Sequence, residues 1–509
     1  MHIHELNGKR VCILGFGKEG QATLRAVEKY SRPKEIAIAD ENPGPAGYRL
    51  PFHQYTCAYG PGYLEAIPRS DVIIQSPGIP PTPDIRALPG THTSPTQIFL
   101  DTIADTGATV IGVTGSKGKS TTSTLIYELL KADGRDVHLV GNIGKPAIDF
   151  LDKAKKTTIF VMEMSSYQLM DLTVSPHIAV VTSFFPEHLD YHGSLQAYLE
   201  AKKHIARFQS KKDIIVFNAQ SDGAKKIAKE SRGKKIPFSA KDAPIKIEMT
   251  HLLGRHNLSN IAAAFTVARE LGIPKKTCIA VFKKFRGLPH RLEFVGEHHG
   301  IRFVDDAIST TPESTIAALD ALGDDVRTII LGGQDRGNDF TELGKRILDS
   351  RIETVILFPG SGPKIREAIA TNSSTPDPSS GGGGGNAPMM EVTPFSPGER
   401  GWGIEEKTKK TNNTSRIRFF EVSSMQQAVS IAVQETRNKE QGTHQLPIVL
   451  LSPASPSYGM FKNFEEKGEQ FQKWIRRPPS PSPGAGASRG VRSRPRRPRG
   501  SCPPSRDRS

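Results

Sequence analysis

Short runs of apolar, mostly β-branched residues alternate along most of the chain with longer runs that have the spacing of an amphipathic helix. Residues 11–14 form the first short run, residues 21–30 form the helical run after it, and residues 35–39 form the next short run. A strand, a helix and a second strand in this order are typical of a parallel sheet with connecting helices on its faces. The pattern therefore predicts an α/β fold.

The same alternation continues to residue 475 and gives a coarse set of elements. Several of the strands end in glycine or in polar residues, which is where open α/β sheets bind ligands. In the last helix the aromatic stripe of Phe461, Phe464, Phe471 and Trp474 predicts core packing. The predicted strands are 11–14, 35–39, 71–75, 108–113, 137–140, 158–162, 178–182, 214–218, 301–304, 328–331, 353–358, 417–422 and 448–452, and the predicted helices are 21–30, 120–131, 194–208, 257–271, 313–322, 425–438 and 461–475.

Two changes in this pattern divide the chain into three α/β units. One falls near residue 95, and the other is the G-L-P-H-R segment at residues 287–291. Segments rich in Gly, Pro, Ser or Arg bury no core, so two of them are predicted to be disordered. The predicted units are a small Rossmann-like domain (1–95), a central P-loop domain (96–288), a C-terminal Rossmann-like domain (289–476) with a disordered insert (371–415), and a disordered tail (477–509).

The formal net charge of the 509 residues is +15, which raises the question of a nucleic-acid partner. Ten arginines and one aspartate lie from Arg476 onward, so this end holds +9 of the total. We interpret the basic end as a solvated extension and expect no nucleic-acid partner for the folded units.

The four cysteines are scattered without the paired spacing of a metal knuckle, which indicates a reducing compartment. The polar first ten residues do not have the pattern of a signal peptide, and no run of about 18 apolar residues predicts a membrane span. We therefore expect a cytoplasmic protein without a membrane partner.

The turn between the strand at 108–113 and the helix at 120–131 carries the most specific motif in the chain. It reads G-x-x-G-x-x-G-K-S-T from Gly112 to Thr121, which is close to the P-loop pattern. Glycines turn backbone N–H groups towards phosphate oxygens, the helix N-terminus adds partial positive charge, and Lys119 adds a full charge. We therefore predict an ATP site with Mg²⁺ on the hydroxyl of Ser120 or Thr121. Its residues are Gly115, Ser116, Lys117, Gly118, Lys119, Ser120 and Thr121.

A second glycine turn follows the first strand and reads G-x-G-x-x-G from Gly15 to Gly20. Asp40 lies twenty residues further on, at the end of the next strand, as in dinucleotide-binding folds where an acidic residue reaches a ribose hydroxyl. The same turn is also compatible with the diphosphate of a UDP-sugar, or with a packing turn that binds nothing.

Polar residues at other strand ends add to the candidate chemistry. Glu163 ends a strand of the P-loop unit, where a carboxylate is a good Mg²⁺ ligand. His188 follows the next strand, and this place makes it a stronger candidate than a lone histidine elsewhere. By its pattern alone the Lys202–Lys203 pair is predicted to lie on a solvated helix surface.

Taken together, six short motifs resemble those of the Mur ligases of peptidoglycan synthesis, and among them the type that adds D-glutamate to UDP-N-acetylmuramoyl-L-alanine. The resemblance runs from about residue 9 to residue 475, without the insert and the tail. The motifs are residues 112–121, 163–168, 187–190, 254–260, 287–291, and 450–454 with 461–465.

The resemblance implies an ATP-dependent ligase that forms an amide bond through an acyl phosphate. Its partners would be UDP-N-acetylmuramoyl-L-alanine and glutamate, and we expect a monomer. Because some relatives of this type add L-glutamate to the same precursor, the L-glutamate-adding variant stays as an alternative. An NAD-dependent oxidoreductase, resting on the first glycine turn and Asp40, is a further alternative, but it leaves the P-loop without a purpose.

The resemblance also assigns roles to residues that the pattern alone does not single out. Lys119, His188 and Lys202 are implied to be catalytic, with Lys202 carbamylated so that it offers oxygen to Mg²⁺. The implied metal ligands are Ser120, Thr121, Glu163, His188 and Lys202; the further ATP-side residues are Asn257, Asn260, Arg291 and Asp306; the UDP-sugar residues are Gly15, Gly17, Lys18, Asp40, Ser76, Pro77, Gly78, Asn142 and Ser165; and the amino-acid residues are Thr310, Arg336, Ser457, Tyr458 and Phe464.

One position departs from the family pattern. Many relatives carry a lysine where this chain has Ile308. We expect Arg336 to supply the missing positive charge, since a guanidinium grips a carboxylate at two points.

Overall fold

The computed structural model describes residues 1–42, 55–374, 417–437 and 446–476. The predicted tail lies outside these residues, and so does the predicted insert except for residues 371–374, which end a helix. Among the described residues, no helix has both the length and the apolar character needed to cross a bilayer.

Strands and short helices alternate through all the described parts. The strands are β1 (Arg10–Leu14), β2 (Glu35–Asp40), β3 (Thr56–Tyr59), β4 (Val72–Gln75), β5 (Thr91–Thr93), β6 (Thr109–Thr114), β7 (Val137–Gly141), β8 (Ile159–Glu163), β9 (Ile178–Val181), β10 (Ile214–Asn218), β11 (Lys234–Phe238), β12 (Glu293–His298), β13 (Ile301–Asp305), β14 (Val326–Leu331), β15 (Thr354–Leu357), β16 (Arg418–Glu421) and β17 (Ile448–Leu451). The α-helices are α1 (Lys18–Tyr30), α2 (Pro83–Ala87), α3 (Pro95–Ala104), α4 (Lys119–Ala132), α5 (Ser166–Leu169), α6 (Leu189–His192), α7 (Leu195–Arg207), α8 (Asp222–Lys229), α9 (Asn257–Glu270), α10 (Lys275–Lys284), α11 (Pro312–Leu322), α12 (Thr341–Leu348), α13 (Gly362–Ser374), α14 (Met425–Arg437) and α15 (Phe464–Arg476).

The strands form three separate sheets, and this confirms the predicted α/β fold. The first sheet has the order β3-β2-β1-β4-β5 and the second has the order β11-β10-β9-β6-β8-β7, both entirely parallel. The third has the order β12-β13-β17-β14-β15-β16, and its edge strand β12 runs antiparallel to β13. The domain boundaries at residues 95, 288 and 476 stay predictions.

The sequence pattern misses four strands, β3, β5, β11 and β12, and all four are edge strands of their sheets. An edge strand pairs on one side only and needs no continuous apolar run, so its periodicity is weak. The strand β11 (K-K-I-P-F) shows this, because it contains two exposed lysines and a proline.

The helix α3, which the pattern also misses, joins the first two units. Its Ile98 packs in the core of the first sheet with Leu6 and Val11. The neighbouring Phe99 packs in a core of the second sheet, with its ring edge against Phe160 at 5.2 Å between centroids. The helix is therefore shared between the two cores.

The last helix begins at Phe464, three residues later than predicted. Phe461 precedes it and is buried against Phe358, with 5.7 Å between the ring centroids. Phe471 is buried in the same cluster and Trp474 packs at its edge. The aromatic stripe is core, as predicted.

The junction between the second and third units has an unusual backbone. His290 and Leu292 both have left-handed φ angles, +59° and +43°. The His290 ring is 2.8 Å from Asp305, and the His290 amide donates to Glu293 at 2.8 Å. These contacts fasten the junction to β12 and β13 of the third sheet.

Candidate functional site

In the glycine loop between β6 and α4, two glycines lie directly against neighbouring side chains. Gly115 has φ +152°, and an added Cβ would lie 2.0 Å from Thr182 Oγ1. Gly118 has φ +86°, and its added Cβ would lie 2.3 Å from Asn260 Oδ1. Neither position accepts a side chain, so the two glycines of the motif are required by both backbone conformation and space.

Hydrogen bonds from the end of β9 hold this loop in place. Thr182 Oγ1 and Ser183 Oγ donate to Lys117 O at 2.7 and 2.9 Å. Ser116 Oγ donates to Phe185 O at 2.9 Å and lies 3.1 Å from the Tyr198 hydroxyl. The loop is therefore fixed before any ligand arrives.

Lys119 begins α4 and turns back over the loop. Its Nζ donates to Ser116 O at 2.7 Å. Burial lowers the pKa of Lys119, although Glu163 and Glu187 act in the opposite direction. Ser120 and Thr121 follow in the first turn of α4, next to this ammonium group.

Glu163 ends β8 and is only 1% exposed. Its Oε1 accepts a hydrogen bond from Asn142 Nδ2 at 2.9 Å, whereas Oε2 is buried and has no hydrogen-bond partner. An unpaired buried carboxylate oxygen is costly, and a bound cation would offset that cost. The residues present therefore fit a Mg²⁺ ion at this strand end.

Lys202 is not a surface residue, and the prediction made from its pattern alone is wrong. It is 1% exposed, and its Nζ donates to Gly115 O at 3.0 Å and lies 4.7 Å from the centre of the Tyr198 ring. Burial lowers the pKa of Lys202 well below its ordinary value. The neighbouring Lys203 is half-buried and pairs with Glu200 at 2.8 Å.

His188 lies beside the rings of Tyr167 and Tyr198. It has φ +56°, and its ring centroid is 5.1 Å from that of Tyr167 and 6.2 Å from that of Tyr198. The preceding Glu187 pairs with Lys117 at 2.7 Å. The structure thus brings His188 close to the glycine loop, as the resemblance implies.

The residues predicted to lie on the ATP side are on α9 and at the junction. Asn260 Nδ2 donates to Asn257 Oδ1 at 2.9 Å, and both side chains are buried at the start of α9. Arg291 is close enough to lower the pKa of both Lys119 and Asp306, after the larger effects of burial. The junction residue therefore links the second unit to the third.

Asp306 follows β13 and is buried. Burial raises its pKa to about 6, while hydrogen bonds from Ser309 and Ser452 work against this shift. The Ser452 hydroxyl donates to Asp306 at 2.9 Å and the Leu292 amide donates to it at 3.1 Å. Asp306 is thus held rigidly beside the junction.

The first glycine turn is built from contacts within the protein. Ser76 Oγ donates to Gly15 O at 2.7 Å, and the Phe16 amide donates to Asp40 Oδ2 at 2.6 Å. The other Asp40 oxygen accepts the Asn42 amide at 2.8 Å. Asp40 therefore stabilises the turn.

Gly17 is the N-cap of α1 and Lys18 is its first residue.

A cavity of about 400 Å³ lies between the first and second sheets. Ser76 and Pro77 line it from the first unit, and Tyr167, Gln168 and Tyr191 line it from the second. The adjoining α5 is held by a capping box in which Ser165 Oγ accepts the Gln168 amide, so Ser165 serves as a cap here. Gly78 lies in the loop that follows Pro77.

Four of the predicted amino-acid residues lie in loops after three neighbouring strands, β13, β17 and β14, and the fifth, Phe464, begins α15. The Arg336 guanidinium is 5.8 Å from the Tyr458 ring centre, and its Nε donates to Gln334 at 3.3 Å. Ser457 Oγ is buried without a hydrogen-bond partner. Thr310 is half-buried in the first loop, and the Phe464 ring lies 6.3 Å from that of His290.

Sequence reasoning missed Tyr198 and Thr182, whose side chains shape the loop around Gly115. The spacing offers one signal. Tyr198 lies four residues before Lys202 and Ile205 lies three after it, so all three share the buried face of α7. Helical periodicity could therefore have identified Lys202 as buried.

Comparisons with known proteins agree with this geometry. Residues 113–268 match the Mur ligase middle domain, and residues 290–380 match the Mur ligase glutamate ligase domain. The first match begins in the strand that leads to the glycine loop, and the second begins at the junction.

Relatives align over almost their whole length. The UDP-N-acetylmuramoylalanine–D-glutamate ligase of Streptococcus mutans is 30% identical, with 92% of this chain and 97% of the relative covered. The same-named ligase of Geobacillus kaustophilus is 32% identical, with 91% and 96% covered. The UDP-N-acetylmuramoyl-L-alanine–L-glutamate ligase of a Micromonospora species is 31% identical, with 94% and 98% covered.

Solved structures share the fold at lower sequence identity. The UDP-N-acetylmuramate-alanine ligase of Thermotoga maritima is 14% identical with a TM-score of 0.51, and 92% of this chain and 99% of that one are covered. The MurF ligase of the same organism, in complex with ADP, is 16% identical with a TM-score of 0.50 and coverage of 93% and 96%. From its full-length relatives, its domain matches and its fold, this chain belongs to the Mur ligase family.

Proposed function

We propose that this chain joins D-glutamate to the L-alanine carboxylate of UDP-N-acetylmuramoyl-L-alanine, with cleavage of ATP to ADP and phosphate. Relatives that carry this activity in their names support the substrates. The observation that carries the chemistry is the unpaired buried oxygen of Glu163 in the P-loop unit, beside Lys119 and Lys202. We also propose that the enzyme works in the cytoplasm as a monomer.

The reaction needs ATP because a carboxylate is a poor electrophile. The alanine carboxylate oxygen attacks the γ-phosphorus, and the bond to the β-phosphate oxygen breaks, which leaves an acyl phosphate and ADP. The glutamate amine then attacks the acyl carbon, loses a proton, and expels inorganic phosphate. The protein accelerates both steps by positioning the reactants and neutralising charge.

The glycine loop and Lys119 account for the phosphate side. The Ser116 and Lys117 amides already donate to Ser183, so the N–H groups of Gly118 and Lys119 are proposed as the donors to the β-phosphate, and the Lys119 ammonium neutralises the charge between the β- and γ-phosphates. Asn257, Asn260, Arg291 and Asp306 complete the nucleotide side, from α9 and the junction.

Glu163, His188 and the Ser120 or Thr121 hydroxyl would hold Mg²⁺. When bound, Mg²⁺ neutralises charge that develops on the transferred phosphoryl group. Carboxylate and hydroxyl oxygens are ligands that this ion prefers.

Lys202 is suited to carry a carbamate. Its amine is buried beside Gly115, and its lowered pKa favours the neutral form that attacks CO₂. The C–N bond forms as the nitrogen loses a proton, which converts the neutral amine into an anionic oxygen donor beside the Mg²⁺ ligands. We propose this carbamate as the third catalytic group with Lys119 and His188.

Arg336 is proposed to bind a carboxylate of the incoming glutamate, in place of the lysine that Ile308 replaces. Its guanidinium lies 5.8 Å from the Tyr458 ring centre and the residue is exposed, so the guanidinium is accessible to a carboxylate. Thr310, Ser457 and Phe464 would complete this pocket, and Ser457 Oγ still lacks a partner.

The decisive experiment incubates the protein with UDP-N-acetylmuramoyl-L-alanine, ATP and Mg²⁺, with either D- or L-glutamate, and follows phosphate release and product mass. Release that depends on D-glutamate, with a product heavier by one glutamyl residue, is expected. Release with L-glutamate alone would assign the chain to the L-glutamate-adding type, which relatives of equal identity represent. No release with either would refute the proposal.

A further inference from the structure

We infer that Tyr191 is a positioning residue that couples the loop at residues 76–80 of the first unit to the His188 segment of the second. The inference rests on the proposed function, because it concerns how the sugar nucleotide is seated. Tyr191 is not among the residues to which the sequence motifs gave a role, and it lies three residues after His188.

The Tyr191 hydroxyl reaches across from the second unit to the first. It is 3.1 Å from Pro77 O and 3.1 Å from Ile79 O, the carbonyl groups on either side of Gly78. A phenol has one proton to donate, so the two carbonyl groups share it. The hydroxyl therefore fixes the path of the loop backbone through Gly78, where the family resemblance places contacts with the sugar nucleotide.

The Tyr191 ring is held from the other side by the second unit. Its centroid lies 4.0 Å from that of Tyr167, which itself lies 5.1 Å from the His188 ring. The next residue, His192, places Nε2 2.9 Å from Ser166 Oγ at the start of α5. The ring of Tyr191, on α6, is thus packed against α5. The helix α5 begins three residues after Glu163, the predicted Mg²⁺ ligand.

These contacts differ from the other links across the same face. Arg25 pairs with Asp149 at 2.9 Å, Lys29 with Asp152 at 3.1 Å and Arg86 with Asp171 at 3.6 Å, but these ion pairs are largely exposed and so contribute little. Gln168 Nε2 also donates to Glu19 across the two units, at the long distance of 3.5 Å. The Tyr191 hydroxyl is half-buried and lines the cavity between the two sheets. A small displacement of the 76–80 loop would therefore be transmitted through the Tyr191 ring to the segment that contains His188.

The coupling predicts a selective defect. Without the hydroxyl, the 76–80 loop loses its link to α6, whereas the glycine loop and the third sheet are untouched. We expect weaker binding of the sugar nucleotide, with unchanged KM values for ATP and glutamate.

The test compares Tyr191→Phe with Tyr127→Phe, a control that removes a phenol hydroxyl from a half-buried position on α4. In Tyr191→Phe we expect KM for UDP-N-acetylmuramoyl-L-alanine to rise about three- to tenfold, the effect of one lost hydrogen bond. KM for ATP and for glutamate should stay at wild-type values in both variants.

Hydrogen exchange gives a readout that needs no turnover. The Ile79 amide donates to Ser76 O at 3.0 Å within the loop, and we expect it to exchange faster in Tyr191→Phe than in the wild type or in Tyr127→Phe. Unchanged exchange at Ile79 would overturn the inference, as would equal rises of all three KM values, which indicate general damage. An inactive wild type with faster exchange in Tyr191→Phe would refute the proposed function and leave the coupling intact.

Discussion

Lys202 and Lys467 are buried, Lys119 is half-buried, and in the described part of the chain none of these three lysines has an ion-pair partner. Among the described residues, no carboxylate oxygen lies within 4.0 Å of the amine of Lys119, Lys202 or Lys467, and each amine instead donates to a backbone carbonyl. Burial lowers the pKa of all three. A buried charge without a partner is costly, so such residues are retained where an anion or a reaction uses them.

The proposed role of Lys202 is tested at this scale. Replacing Lys202 by Ala should reduce phosphate release about 100-fold or more, because a preorganised charged group is lost from the reacting centre. Small carboxylates such as acetate or formate should restore part of the rate by entering the vacated space. The control is Lys203→Ala, which removes a half-buried ion pair with Glu200 on the same helix and should leave the rate unchanged. Full activity in Lys202→Ala would disprove the carbamate.

Lys467 provides a test of stability against pH. It is fully buried on α15, its Nζ donates to Gly332 O at 3.0 Å, and burial lowers its pKa from 10.5 to about 7. Between pH 7 and 10.5 the unfolded chain binds this proton and the folded chain does not. The free energy of unfolding therefore rises with pH in this window, by up to about 1.4 kcal/mol per pH unit from this group.

Denaturant unfolding of Lys467→Met at pH 7 and pH 9.5 checks that sign. Lys467→Met lacks the pH-dependent contribution of this amine to the free energy of unfolding. Its stability relative to the wild type should therefore be higher at pH 7 than at pH 9.5. A difference between the two proteins that does not change with pH would show that Lys467 keeps an ordinary pKa.

At the scale of elements, the site depends on turns where a strand gives way to a helix. Gly118 stands at such a turn with a left-handed φ and no room for a Cβ. Gly134, just after the same helix, has a similar φ of +76° but nothing within 4 Å of its added Cβ. A comparison of Gly118 with Gly134 therefore separates the cost of the left-handed backbone from the steric effect of an added Cβ.

Replacing each of these glycines by Ala should therefore give different results. Both variants should lose about 1 kcal/mol of stability, because alanine disfavours a positive φ. Only Gly118→Ala should also lose ATP binding, since its Cβ collides with Asn260 at the mouth of the loop. Calorimetric titration with ATP and Mg²⁺ measures this, and equal nucleotide affinity in both variants would contradict the expectation.

The parts of the fold that the sequence predicts are those with strong local signals. Central strands such as β6 and β9 are continuous apolar runs, and their predicted bounds fall within one residue of the observed ones. Edge strands lack such runs, and the burial of Lys202 shows in the sequence only through its helical spacing from Tyr198 and Ile205 on α7. The glycine loop was predictable because its motif specifies a conformation, whereas the Tyr191 contact joins residues of two units, and Tyr191 and Ile79 are 112 residues apart in sequence.

At the scale of the whole molecule, ligands should bind where the units meet. ATP with Mg²⁺ at saturating concentration should raise the Tm, because a ligand at 100 times its Kd stabilises the native state by about 2.7 kcal/mol. NADH at the same concentration should not, since Asp40 is engaged by the Phe16 and Asn42 amides. Thermal unfolding measures both, and stabilisation by NADH without stabilisation by ATP would favour the oxidoreductase alternative.

The left-handed pair at the junction has a consequence for motion between the second and third units. His290 and Leu292 are tied to Asp305, Glu293 and Asp306, so this corner travels with the third sheet as one rigid piece. Any swing that opens the nucleotide cleft must pivot upstream, where Gly287 has φ +94° and its added Cβ would meet only Leu252 Cδ2, at an ordinary contact distance of 3.5 Å. Arg291 would then swing out with the moving piece, so that opening the cleft carries one cation away from the nucleotide and aids the departure of ADP.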